Sequence, residues 1–114
     1  MRLAERVIKR AVKIDDNPLT IDDILDSVCN HFEVTVAAVN GRSRKREYVE
    51  ARQVSMYLAQ KYTKMPASRI GKLMGGRDHS TVIHSCSKVE KRLEVDKLFL
   101  DEIASIENSF KLKR

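Results

Sequence analysis

Gly75-Gly76-Arg77-Asp78-His79-Ser80-Thr81-Val82-Ile83-His84-Ser85-Cys86 organises everything around it in this 114-residue chain. The Gly75-Gly76 pair marks a turn. Asp78 then stands where a helix wants its N-cap, with a carboxylate able to accept from the free amides of the next turn. Val82, Cys86, Val89 and Leu93 recur at helical spacing and define a buried stripe. His79, Ser80 and Ile83 fall on another face, at the N-terminal end. Upstream, Pro66 suits the first turn of a short helix carrying Ile70 and Leu73. A short helix, a Gly-containing turn and a longer helix form the helix-turn-helix pattern. In that motif the second helix offers its first residues to base edges in the major groove.

The remainder of the chain reads as helix on both sides of this motif. Thr20 is placed to cap a helix with Ile21, Ile24, Leu25, Val28 and Phe32 on one face. Thr35 starts a short helical turn carrying Val36 and Val39, and Asn40-Gly41 ends it. A basic loop follows, Arg42-Ser43-Arg44-Lys45-Arg46. Residues 48–62 predict a long helix with Ala51, Val54, Leu58 and Tyr62 at core spacing. A final helix places Val95, Phe99, Ile103, Ile106 and Phe110 on one side, and Lys111, Lys113 and Arg114 suit its C-terminus. Residues 2–13 predict a basic amphipathic helix, broken by Asp15-Asp16-Asn17-Pro18. The expectation is an all-α, compact six- to seven-helix domain over residues 19–114, preceded within residues 1–18 by a helix that is either a plain packing helix or a connector helix toward an upstream domain. No strand, repeat or low-complexity tract is evident.

Charge is segregated. Residues 1–39 hold five Lys/Arg against seven Asp/Glu, residues 40–81 ten against three, and residues 82–114 seven against six. The positive charge therefore gathers on and just before the helix-turn-helix, which points to nucleic acid. Four cations in the five residues 42–46 repel one another unless an anion lies close, and arginines on such an arm suit a narrow A·T-rich minor groove. Arg52, one turn into the next helix, is expected at a phosphate.

Other chemistry is poorly supported. Asp78, His79 and Ser80 have the residue types of a hydrolytic triad, but adjacent helical residues point in different directions, so no catalytic role is expected. His79 and His84 lie about 140° apart around a helix, which argues against a shared metal. The Gly-Lys-Ser/Thr order of a phosphate loop is missing. Cys29 and Cys86 read as reduced core thiols. No run has the length of a membrane span and no signal peptide is visible. Acids Glu5, Asp15 and Asp16 weaken a membrane-binding reading of the first helix.

The run Gly75 to Val82 resembles the opening of the recognition helix in the DNA-binding domain of the bacterial replication initiator DnaA family. Ile70-Gly71, the basic loop and Ala51-Arg52-Gln53 fall in family order, and the similarity extends from about Leu19 to Phe110. The resemblance implies sequence-specific binding to double-stranded DNA at DnaA boxes, short asymmetric origin sites. Arg44 matches the minor-groove arginine. Asp78, His79 and Ser80 match base-reading positions, with Ile83 beside them. Arg52, Arg77 and Thr81 match positions that approach phosphates or support the motif, and Arg42, Lys45 and Arg46 of the basic loop are expected at phosphates. Ser80 stands where Thr is common, and Glu47 and Glu50 dilute the basic stretch. The resemblance also implies an isolated C-terminal domain, monomeric on its site and cytoplasmic, associated with the bacterial nucleoid. It implies no cofactor in this chain, because the ATP site would lie in the family's ATPase domain. Residues 1–17 resemble the family's connector, a region linked to acidic phospholipid. A helix-turn-helix transcription regulator of similar fold would instead be expected to dimerise on a palindrome, and a helical protein-interaction module would bind no DNA.

Overall fold

Helix caps set the chain's layout. In the computed structural model, which describes residues 19–112, Thr20 and Asp23 close a reciprocal capping box: Thr20 Oγ1 accepts from the Asp23 amide at 3.2 Å and Asp23 Oδ2 from the Thr20 amide at 3.1 Å. This starts α1, Ile21–Phe32. Thr35 Oγ1 accepts from the Ala38 amide at 3.1 Å and starts α2, Val36–Asn40. Helix α3 is Arg46–Thr63, α4 is Ala67–Leu73 after Pro66, and α5 is His79–Val95. Asp96 then breaks the chain and accepts from the Phe99 amide at 3.1 Å, opening α6, Lys97–Leu112. Six helices and no strand are present among the described residues. None of these helices is long and apolar enough to cross a membrane. The expected helix at 2–13, the connector within 1–18, and Lys113 and Arg114 lie outside the described residues.

Helix α3 is the central element, packed against α1 on one side and α5 on the other; α6 lies against α1 and α5. Ile24, Val28, Val39, Val54, Met56, Leu58, Ile70, Met74 and Val82 are wholly buried. From α6, Phe99, Ile103, Ile106 and Phe110 join them. Removing this much apolar surface from water is the main force holding so small a domain together.

Three stripe positions are corrected, all near helix ends. Tyr62 is exposed; its ring meets Phe110 edge-on at 5.4 Å and its hydroxyl donates to Glu107 at 2.9 Å, an amphipathic use of a tyrosine at a core margin. Leu73 is exposed because the chain leaves α4 there, and Met74 takes the core place instead. Val95 closes α5 rather than joining α6, and the break at Asp96 leaves it 85% exposed. The basic loop is also one residue shorter than expected, since Arg46 already belongs to α3.

Candidate nucleic-acid interface

The interface begins with the turn between α4 and α5. The Gly71 carbonyl accepts from the Met74 amide at 3.2 Å and from the Arg77 amide at 2.7 Å, so the turn folds back onto the helix it leaves. A side chain at Gly71 would place its Cβ 2.1 Å from the Arg77 carbonyl oxygen. Gly75 and Gly76 have φ of +87° and +72°, left-handed values that glycine adopts without penalty. Gly75 is crowded as well, its missing Cβ lying 2.2 Å from the Asn40 carbonyl oxygen. The turn is therefore pressed against the end of α2.

Helix α5 leaves this turn with Asp78 at its N-cap position. The expected side-chain cap bond is not made. Asp78 is exposed, and there water competes both for its carboxylate and for the first-turn amides. His79, Ser80, Thr81, Ile83 and His84 are exposed too, while Val82, Ser85, Cys86 and Val89 face the core. The first turn of α5 thus offers short polar groups and one apolar side chain, Ile83, 52% exposed.

The basic loop stands beside it. Arg42, Arg44 and Lys45 are exposed, as is Arg46 at the start of α3. The Lys45 ammonium lies 5.7 Å from the Tyr48 ring centroid. Arg44 and Arg46 line a groove of about 450 Å³ between α3 and α5, together with Gln53, Lys88 and Arg92. Glu50 is in the same groove, but Arg92 pairs with it at 2.5 Å, so it subtracts less from the local field than its place in the sequence suggests. Lys88 was not singled out in the sequence. Its signal was its spacing, one turn beyond His84 and two beyond Thr81 on the same helix.

Arg52 and Arg77 support the motif, one of the two roles expected of them, by donating to backbone carbonyls. Arg52 Nε donates to the Val39 carbonyl at 2.8 Å, and its Nη2 to those of Gly41 and Ser43 at 3.3 and 3.1 Å. Arg77 Nη1 donates to the Met74 carbonyl at 2.6 Å and to that of Asn40 at 3.2 Å, and its Nη2 donates to Gly41. Apart from that of Ser43, which lies in the loop, these carbonyls end α2 and α4, where a helix leaves its last carbonyls without partners of its own. Burial lowers the pKa of both arginines; the nearby Arg42 lowers both further, as Arg52 does for Arg77. A guanidinium stays charged through such shifts.

Cys29 and Cys86 are free and buried. Burial, and then Glu90, pushes the Cys86 thiol up to about 11; burial and Asp26 raise Cys29. No group of three or more His, Cys, Asp or Glu able to hold a metal occurs among the described residues.

A short helix, a glycine turn fixed by Gly71, and a longer helix with a buried stripe and an exposed first turn define a helix-turn-helix domain. Residues 21–89 match the family described as the bacterial dnaA protein helix-turn-helix. The chain is similar to the chromosomal replication initiator protein DnaA of Bacteroides thetaiotaomicron, 47% identical over 111 residues, which cover 97% of this chain and 24% of that protein. It is 36% identical to the DnaA of Porphyromonas gingivalis, over 94% of this chain and 23% of the relative. It is 43% identical to that of Streptococcus thermophilus, over 90% of this chain and 23% of the relative. The chain thus spans about a quarter of the length of these relatives. It belongs to the family of DnaA C-terminal helix-turn-helix domains, which are non-catalytic.

Proposed function

We propose that this chain binds double-stranded DNA sequence-specifically at DnaA boxes of a replication origin, as the DNA-binding part of an initiator of chromosomal replication. The observation that carries the reading is the pairing of an exposed, polar first turn of α5 with a cationic loop tied directly beside it. Helix α5 enters the major groove, where Asp78 accepts from a cytosine amino group, His79 donates or accepts at a base edge, and Ser80 and Ile83 complete the contact. Arg44 enters the neighbouring minor groove. Arg42, Lys45, Arg46 and Thr81 lie along the phosphates, and Lys88 and Gln53 extend that track through the groove between α3 and α5. One domain reads one asymmetric site as a monomer.

The test is a paired titration of wild type and His79→Ala on a DnaA-box duplex and a scrambled duplex, at two salt concentrations. Wild type should prefer the box, and log K should fall with log salt by roughly 0.9 per phosphate neutralised. His79→Ala should lose about 1–3 kcal/mol on the box and little on scrambled DNA, with the salt slope retained. Equal binding of both duplexes by wild type would refute sequence-specific recognition. Equal losses by the variant would move base reading to Ile83 and His84.

A further inference from the structure

We infer that Arg77, acting with Arg52, is a positioning residue that joins the basic loop to the recognition helix, so that Arg44 and the first turn of α5 are presented to DNA as one rigid unit. This rests on the DNA-binding reading above and adds to it a mechanical link between the two reading elements.

Three observations meet at the end of α2. Arg77, in the turn that launches α5, spans from the Met74 carbonyl to those of Asn40 and Gly41. Arg52, from α3, reaches the same Gly41 carbonyl and continues to Ser43, the residue before Arg44. The missing side chain of Gly75 lets the Asn40 carbonyl approach closer than any Cβ would permit. Two guanidiniums thus converge on one carbonyl oxygen, which has two lone pairs to offer. Placing like charges together is costly, and the orphan carbonyls at the ends of two helices offset that cost. A guanidinium fork holds several acceptors in fixed directions; an ammonium keeps the charge but not the fork. Arg77 therefore acts on DNA through Arg44, from behind the interface.

The experiment compares wild type, Arg77→Lys, Arg52→Lys, Arg44→Ala and the double variants Arg44→Ala/Arg77→Lys and Arg44→Ala/Arg52→Lys. Thermal unfolding is followed to confirm that each is folded. In DNA-free protein, amide relaxation and hydrogen exchange at residues 42–45 should show a looser loop in both lysine variants. On the DnaA-box duplex, Arg44→Ala should cost wild type about tenfold in affinity, but no more than about twofold once Arg77 is lysine. Scrambled DNA should show no such coupling. If Arg77 touches phosphate directly, lysine will retain most of the affinity and the losses of the double variant will multiply, which overturns the inference. An unchanged loop in both lysine variants overturns it without any DNA measurement. Failure of wild type to distinguish the two duplexes would refute the DNA-box reading instead, and the loop measurement would still decide the positioning role.

Discussion

Gly71→Ala sets two effects of opposite sign against each other. Gly71 lies inside α4, where alanine is favoured over glycine by about 1 kcal/mol from helix propensity alone. Against this stands the close approach of the turn. The new Cβ would lie 2.1 Å from the Arg77 carbonyl oxygen and 2.9 Å from its carbonyl carbon. Both are backbone atoms and cannot swing aside. Restoring an ordinary contact of 3.4 Å requires the turn to move by about 1.3 Å. That movement breaks the 2.7 Å bond from the Arg77 amide to the Gly71 carbonyl, a loss of about 0.5–1.5 kcal/mol. Overpacking costs roughly 1–3 kcal/mol more. The balance is a net destabilisation of about 2 kcal/mol once the propensity gain of about 1 kcal/mol is subtracted. In a domain of this size that lowers the melting temperature by roughly 8–16 °C. Thermal and urea unfolding followed by circular dichroism measures it, and the urea m-value should stay constant because the exposed surface on unfolding is unchanged. Gly76→Ala is the control. Nothing lies within 4 Å of its Cβ, so it meets only the left-handed penalty of about 1–2 kcal/mol. A melting temperature that rises in Gly71→Ala would show propensity winning, and the tight α4–turn contact would have to be abandoned.

The other expectations concern exposed or local features. Arg44→Ala should weaken box binding by about 1–3 kcal/mol while leaving the melting temperature nearly unchanged, because an exposed loop arginine supports little packing; a collapse of stability with affinity intact would make Arg44 structural. Thr20→Ala should cost about 1 kcal/mol of stability because it opens a capping box. Asp78→Ala should cost only a few tenths, since no cap bond is lost, and its effect should fall on base selectivity; chemical denaturation of the two variants side by side separates them. Cys29 and Cys86 should resist a disulfide reagent at pH 8 in the native state and react on unfolding, because both are buried and the Cys86 thiol, at about 11, stays protonated there. Fast native-state labelling would place them at the surface.

What was legible in the sequence was local. Thr20, Thr35 and Pro66 mark helix starts because caps and fixed φ act within a few residues. The stripes through Val28, Val54, Val82 and Ile103 are recoverable because burial on one face repeats with the helix. The reading failed where a helix end meets a neighbour. Whether Tyr62, Leu73 or Val95 continues its stripe depends on where the chain departs and what lies opposite, and neither follows from spacing. The exposed faces of Asp78, His79, Ser80 and Ile83 were recoverable from the same periodicity. The tasks of Arg52 and Arg77 were not, because their acceptors are up to 37 residues away. Composition assigns every arginine of a basic segment to the same kind of partner. Geometry divides them.

That division has an electrostatic consequence. Arg52 and Arg77 direct several of their donors to carbonyls yet keep their charge, and Arg42 is close enough to lower the pKa of both. At a Debye length of about 8 Å in physiological salt, charges this close to the interface still attract a phosphate backbone. The exposed Arg42, Arg44, Lys45 and Arg46 add to the same field and also have donors free to meet DNA. Attraction therefore draws on the whole cluster, whereas orientation depends on the two arginines turned inward. A lysine at either inward position preserves the field and removes the fork. On the proposed reading, such a protein should keep its long-range pull toward DNA and lose the alignment of its two reading elements. Under the proposed function, affinity for any duplex and preference for one duplex should therefore be separable, because different atoms of the same arginine-rich segment would supply them.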